Sequence, residues 1–118
     1  MSSKMLGDRG ETCAAEYLRS KDYRILARNY RTKTGEIDII ADDHDTLVFI
    51  EVKTRSSARY GSPAEAVHYR KQQKIIQTAY WYLRAHHMES CLCRFDVLEV
   101  YAMNDGWKIH QIKAAFEM

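Results

Sequence analysis

The chain has 118 residues, 46% hydrophobic and 29% charged, which is enough apolar material for one folded core and excludes a disordered polymer. No apolar run approaches the roughly 20 residues of a membrane span. Met1-Ser2-Ser3-Lys4-Met5 lacks the apolar stretch of a signal peptide, so residues 1–118 are expected to form a single cytoplasmic domain. The net charge of +2 excludes no partner, but basic residues crowd on both sides of residues 35–52. A phosphate-rich polymer would need such a surface, and a solvated basic face would look the same.

In chain order, Asp8 to about Ser20 repeats with a helical period. Ala14, Ala15 and Leu18 make an apolar stripe, and Glu11, three, four and seven residues earlier, lies on the same face. Glu16 shares a face with Thr12, Arg19 and Ser20 and reads as a solvent carboxylate. Glu11 is then either a first-turn residue favoured by the helix macrodipole or a carboxylate aimed at the core. Lys21-Asp22 ends the helix, and Tyr23 to Tyr30 reads as a strand. Lys33-Thr34-Gly35 turns into a second strand reaching about Ala41. Asp42-Asp43-His44-Asp45 forms a hairpin loop, and a third strand spans Leu47 to Lys53.

This hairpin sets Asp38, Glu51 and Lys53 into apolar sequence, where charge is costly unless paired or bound to metal. An even loop places Ile39 against Val48 and Ile37 against Ile50 on one face. Glu36, Asp38, Ile40, Leu47, Phe49, Glu51 and Lys53 then share the other. Asp38 is diagonal to Glu51, roughly 7–8 Å away by strand geometry, so both can reach one cation. Carboxylate oxygens suit magnesium or manganese, which polarises a phosphoryl oxygen and acidifies a bound water. Lys53 beside them can orient that water or neutralise charge on a phosphate. The plainer reading is an ion pair on a half-exposed strand.

Beyond Lys53, the polar stretch with Arg55, Arg59 and Tyr60 suits phosphate contacts and base stacking, or is an ordinary connection. Gly61 permits a sharp turn, and Ser62-Pro63-Ala64-Glu65 is a capping box that starts a helix running to about His87, with room for a bend near His68. Ile75, Ile76, Ala79 and Leu83 are its core stripe, with Gln72 on the same face. Lys71 and Lys74 fall on another face and can grip phosphates, and Tyr80, Trp81 and Tyr82 read as packing aromatics whose excess suits a dimer surface. Two final strands, Leu92 to Ala102 and Trp107 to Ile112, are joined by Met103-Asn104-Asp105-Gly106, whose Asp-Gly is a hairpin turn signal. Asp96 and Glu99 read as exposed or edge-facing and structural. Cys13, Cys91 and Cys93 are an odd count that argues against disulfides, and Cys91-x-Cys93 after His86-His87 lacks the spacing of a zinc knuckle.

The order Glu11, Asp38, Glu51-Val52-Lys53 resembles the PD-(D/E)xK, or restriction-endonuclease-like, superfamily, and its spacing is similar to archaeal Holliday-junction resolvases. Nearly the whole chain resembles the YraN-like family of bacterial proteins. The match covers Gly10-Glu11, Tyr17-Leu18, Arg28-Asn29-Tyr30-Arg31, Gly35-Glu36-Ile37-Asp38, Phe49-Ile50-Glu51-Val52-Lys53-Thr54-Arg55, Gly61, Pro63, Ala66-Val67 and Lys71. Ile37 stands where the superfamily's proline would be.

The resemblance implies an α/β fold, a restriction-endonuclease-like mixed sheet of about five strands flanked by helices in the order α-β-β-β-α-β-β. It implies a catalytic set of Glu11, Asp38, Glu51 and Lys53, joined by Gln72 because related nucleases bring a helical polar residue to the site. Asp38, Glu51 and Glu11 would hold Mg2+ or Mn2+. Arg31, Arg55, Arg59, Tyr60, Lys71 and Lys74 would contact nucleic acid. The expected function is a metal-dependent DNA endonuclease, acting at branched or damaged DNA, with a homodimer by analogy with the resolvases. The alternatives are a non-catalytic nucleic-acid-binding module and an interaction protein built on a buried ion network.

Overall fold

The elements follow one another as α-β-β-β-α-β-β in the computed structural model, which describes residues 2–55 and 68–118. They are α1 (Ser3–Ser20), β1 (Arg24–Thr32), β2 (Gly35–Asp43), β3 (Thr46–Arg55), α2 (Tyr69–Ala85), β4 (Leu92–Met103) and β5 (Gly106–Phe116). The strands form one mixed sheet in the order β1-β2-β3-β4-β5, antiparallel throughout except for the parallel pair β3–β4. A parallel pair needs a long crossover, and α2 lies on it.

Each face of the sheet carries a core. Ile40, Leu47, Phe49, Phe95 and Val97 pack with Ile75, Ile76, Ala79, Tyr82 and Leu83 of α2. Ile39, Ala41, Val48, Ile50, Leu98 and Val100 pack with Ala14, Ala15 and Leu18 of α1. Burial on both faces explains why β2 and β3 read as unbroken apolar runs, Ile39-Ile40-Ala41 and Leu47-Val48-Phe49-Ile50. No helix among the described residues is long and apolar enough to cross a membrane.

Several local expectations are corrected. α1 starts at Ser3, five residues before Asp8, with the Ser2 hydroxyl accepting from Met5 N–H at 3.1 Å. Glu11 is therefore well inside the helix, and the first-turn dipole reading falls away. The hairpin turn is only His44-Asp45, with His44 at φ 59°. Ile39 pairs with Ile50 and Ala41 with Val48, two residues away from the expected register. Asp42 and Asp43 can join the strand because each has a cation, Arg24 at 3.3 Å and Arg94 at 3.1 Å. A shift of two keeps Glu51 and Lys53 on their face, but it moves Asp38 from the diagonal of Glu51 to the position opposite it, just beyond the Ile39–Ile50 pair.

Near His68, where a bend was expected, the backbone is fully extended (φ −70°, ψ 156°), and α2 starts only at Tyr69. The capping box and Gly61 lie outside the described residues. Tyr82 packs edge-on against Tyr30 and Phe49, but Tyr80 and Trp81 are 48% and 49% exposed. Successive helical residues point about 100° apart, so three in a row cannot all face a sheet.

Asp96 and Glu99 are fully buried, not exposed, because β4 is an interior strand. Arg94 grips Asp96 with two bonds of 2.9 and 3.0 Å, and Gln111 Nε2 and Ala114 N–H each donate to it at 3.0 Å. Arg94 also bonds the Tyr23 hydroxyl at 2.8 Å. Glu99 Oε1 meets His110 Nδ1 at 3.2 Å, while its Oε2 has no hydrogen-bond partner among the described residues.

Candidate functional site

Where β2 and β3 stop pairing, at Ile39–Ile50, the next residues on the two strands are Asp38 and Glu51. On the other side of β2 the pleat is also interrupted. Asn29 has φ 54°, between the pairs Arg28–Ile39 and Tyr30–Ile37. Ile37 joins Ile40 in the α2-side core, although an odd separation would send them to opposite faces of a regular strand. The sharing of one face by Ile37 and Ile39 expected from a regular strand is thus broken at Asp38. Its Oδ2 accepts from Val52 N–H at 2.8 Å, holding the carboxylate against β3.

Glu51 is 6% exposed. Lys71 Nζ of α2 lies 2.8 Å from its Oε1, and Lys53 Nζ is 3.8 Å from the same atom. Lys71 was expected on another face of its helix. It falls four, seven and eleven residues before Ile75, Thr78 and Tyr82, all buried, and that spacing was readable in the sequence.

Burial, then the Glu51 charge, pushes Asp38 up to about 7, with the Val52 N–H opposing and Glu11 and Glu36 adding smaller repulsions. Burial first, then Lys71, lowers the pKa of Lys53. Burial works in the same direction on Lys71, but its bond to Glu51 leaves it net raised. Asp38 and Glu51 form a repelling pair, and the two ammonium groups screen it.

Glu11 reaches the site because α1 approaches β3 very closely. A Cβ on Gly10 would overlap the Thr54 side chain, so only glycine lets the helix settle there. The Glu11 side chain is half-buried, 3.8 Å from Arg28 Nη2. Its Oε1 is buried with no hydrogen-bond partner among the described residues. Burial raises its pKa, with Arg28 opposing.

The structure therefore brings together Glu11, Asp38, Glu51 and Lys53, and adds Lys71. Gln72 is the next residue of α2 and half-buried. Arg31 sits apart, bonded to Glu36 at 2.9 Å, and Lys74 is exposed on α2. Arg55 ends β3 with its Nε buried and without a partner among the described residues. Arg59 and Tyr60 lie outside the described residues.

As they stand, no three His, Cys, Asp or Glu side chains among the described residues are grouped to hold a metal ion, since Glu51 turns to Lys71 and Glu11 to Arg28. The donor set nonetheless fits a hard cation. Glu51 is buried with Asp38 and Glu11 half-buried near it, Glu11 Oε1 has no hydrogen-bond partner among the described residues, and the Lys53 ammonium stands where positive charge is needed.

A family model described as "Uncharacterised protein family UPF0102" matches residues 10–100. A UPF0102 protein of Alkaliphilus oremlandii is 47% identical over 116 residues, covering 97% of this chain and 99% of its own. One from Clostridium botulinum is 49% identical over 120 residues (98% and 97%), and one from Caldicellulosiruptor saccharolyticus is 43% identical over 118 (98% and 100%). The solved structure described as "Crystal structure of SSO0001" aligns with 98% of this chain and 54% of its own at TM-score 0.45 and 17% identity.

Proposed function

The chain belongs to the uncharacterised protein family UPF0102, and we propose that it is a divalent-cation-dependent nuclease of PD-(D/E)xK type, hydrolysing DNA phosphodiesters. One observation carries this reading. Asp38 and Glu51 stand side by side at the point where their strands part, and burial first, with the Glu51 charge second, pushes Asp38 up to about 7. Such a pair costs stability in the folded protein and is kept where charge is to be received.

Asp38, Glu51 and Glu11 would hold a magnesium or manganese ion, which when bound supplies Lewis acidity toward a phosphoryl oxygen and a water of lowered pKa. The chain's own residues do the rest. The Val52 N–H fixes Asp38, so one carboxylate is oriented before any substrate arrives. Lys53, 3.8 Å from Glu51, is close enough to place positive charge on the phosphate as it gains negative charge. Burial lowers its pKa, which brings it nearer to the range of a proton acceptor. Arg55 continues the same strand and offers a guanidinium to the phosphate backbone.

The test is a cleavage assay on single-stranded, duplex and four-way-junction DNA with magnesium or manganese. Asp38→Ala and Glu51→Ala should each abolish cleavage while circular dichroism shows the fold intact; cleavage unchanged in both would sink the assignment. A second reading, a closed ion network in an interaction protein, is favoured by the short Lys71–Glu51 contact. Calorimetric titration separates them, because a network already closed by lysines takes up no magnesium or manganese.

A further inference from the structure

The solvent face of α2 has a composition that the cation site does not use. From Tyr69 to Ala85 the helix carries Arg70, Lys71, Lys74 and Arg84 and not one Asp or Glu. Arg70, Lys74, Gln77, Trp81 and Arg84 are spaced four, three, four and three residues apart, which is one face of a helix, and all five are exposed. Beside Trp81 lies a hollow of about 330 Å³ lined by Thr34, Gln77, Tyr80, Trp81 and Arg84.

This hollow is built rather than incidental. The Thr34 hydroxyl at the β1–β2 turn lies 2.9 Å from the Thr78 hydroxyl, pinning the turn to the helix. A Cβ at Gly35 would come within 3.5 Å of the Lys74 Cβ. The Arg84 guanidinium rests 5.8 Å from the Trp81 ring centre, which restrains the indole. Two aromatic rings, each about half exposed, thus stand in a hollow whose lining and whose helix carry no acidic residue.

We infer that this face of α2 is a track for single-stranded DNA, with Arg70, Lys74 and Arg84 on its phosphates and an unpaired base stacked at Trp81 and Tyr80. Phosphate is the partner that an acid-free basic stripe complements. Stacking selects the unpaired strand, because a duplex hides the faces of its bases. The stripe spans roughly 20 Å at about 1.5 Å per residue, and Lys71, at its other end, touches Glu51. The strand would therefore run from the hollow toward the carboxylates. The choice of DNA and this direction rest on the proposed nuclease function; the stripe itself does not.

The experiment is binding of an oligothymidylate of about 12 nucleotides in chelator, where no cleavage can occur, followed by tryptophan fluorescence and anisotropy. Trp81→Phe, which leaves Trp107 as the only indole, should abolish most of the quenching. Trp81→Ala should raise Kd about 5- to 100-fold, and Arg84→Gln should weaken binding and flatten its salt dependence. Circular dichroism checks each fold, and the exposure of these residues makes loss of folding an avoidable confusion.

An unchanged Kd in Trp81→Ala overturns the inference. So does equal affinity for duplex DNA without quenching, tighter binding of the matching RNA, or a dimer that dissociates when Trp81 is replaced. Trp81-dependent binding without any metal-dependent cleavage would sink the proposed function and leave this surface standing. Cleavage with an indifferent Trp81 would do the reverse.

Discussion

Lys71 Nζ and Glu51 Oε1 are 2.8 Å apart, and this contact joins the helix on one face of the sheet to the buried carboxylate of β3. The ammonium stands in for the positive charge that Glu51 would otherwise lack, so cation binding requires it to yield. Lys71→Met should therefore lower stability by about 1–2 kcal/mol without metal, since a buried carboxylate loses its nearest partner. It should also tighten magnesium binding. Urea unfolding with and without magnesium, beside calorimetry, checks both; weaker magnesium binding in the variant would contradict this role.

Asp38 predicts a pH dependence of unusual sign. Its carboxyl is raised from the ordinary 3.8 to about 7 by burial and Glu51. Between those values the folded protein holds a proton that the unfolded chain has released, so stability falls as pH rises through the window and levels off above it. Asp38→Asn should remove that fall and be the more stable protein at pH 8. Denaturant midpoints measured at pH 5, 6, 7 and 8 decide the matter, and parallel curves for the two proteins would contradict it.

Gly10 controls how closely α1 approaches β3. Gly10→Ala sets a methyl against the Thr54 side chain and should cost about 1–3 kcal/mol, as overpacking does. Thr54→Ala in the same chain should recover part of that loss, giving a coupling measurable in a double-mutant cycle. Additive losses would mean that the two residues do not meet.

The Asp96 cluster predicts a large and purely structural loss. Asp96→Ala strips Arg94, Gln111 and the Ala114 N–H of a shared acceptor in the interior. The expected cost is about 3–5 kcal/mol, as when one partner of a buried pair is removed. Thermal unfolding measures it, and a change within 0.5 kcal/mol, about what a surface substitution gives, would show that the cluster contributes little.

Much of the fold was legible along the chain because its signals are local. The stripe of Ala14, Ala15 and Leu18 and the placing of Glu51 and Lys53 on one face of β3 each follow from the 3.6- or 2-residue period of one element. The parity of the hairpin survived an error of two in its register for the same reason. Glu11, and not Glu16, faces the core, as the helical period requires. The misses lie where partners are distant in sequence. Asp42 and Asp43 read as loop because Arg24 and Arg94 could not be seen beside them. Asp96 and Glu99 read as exposed because nothing in β4 says that it lies between two other strands.

The sequence by itself determined the order of elements and most of the apolar faces, since the period of an unbroken helix or strand decides which side chains share a side. Only the tertiary structure decided that Asp38 and Glu51 stand at the point where two strands part, and that Lys71 reaches across to one of them. It likewise decided that Trp81 is left in solvent while Tyr82 is not. Those facts depend on which surfaces meet and how closely, and no local period encodes the packing of a helix onto a strand.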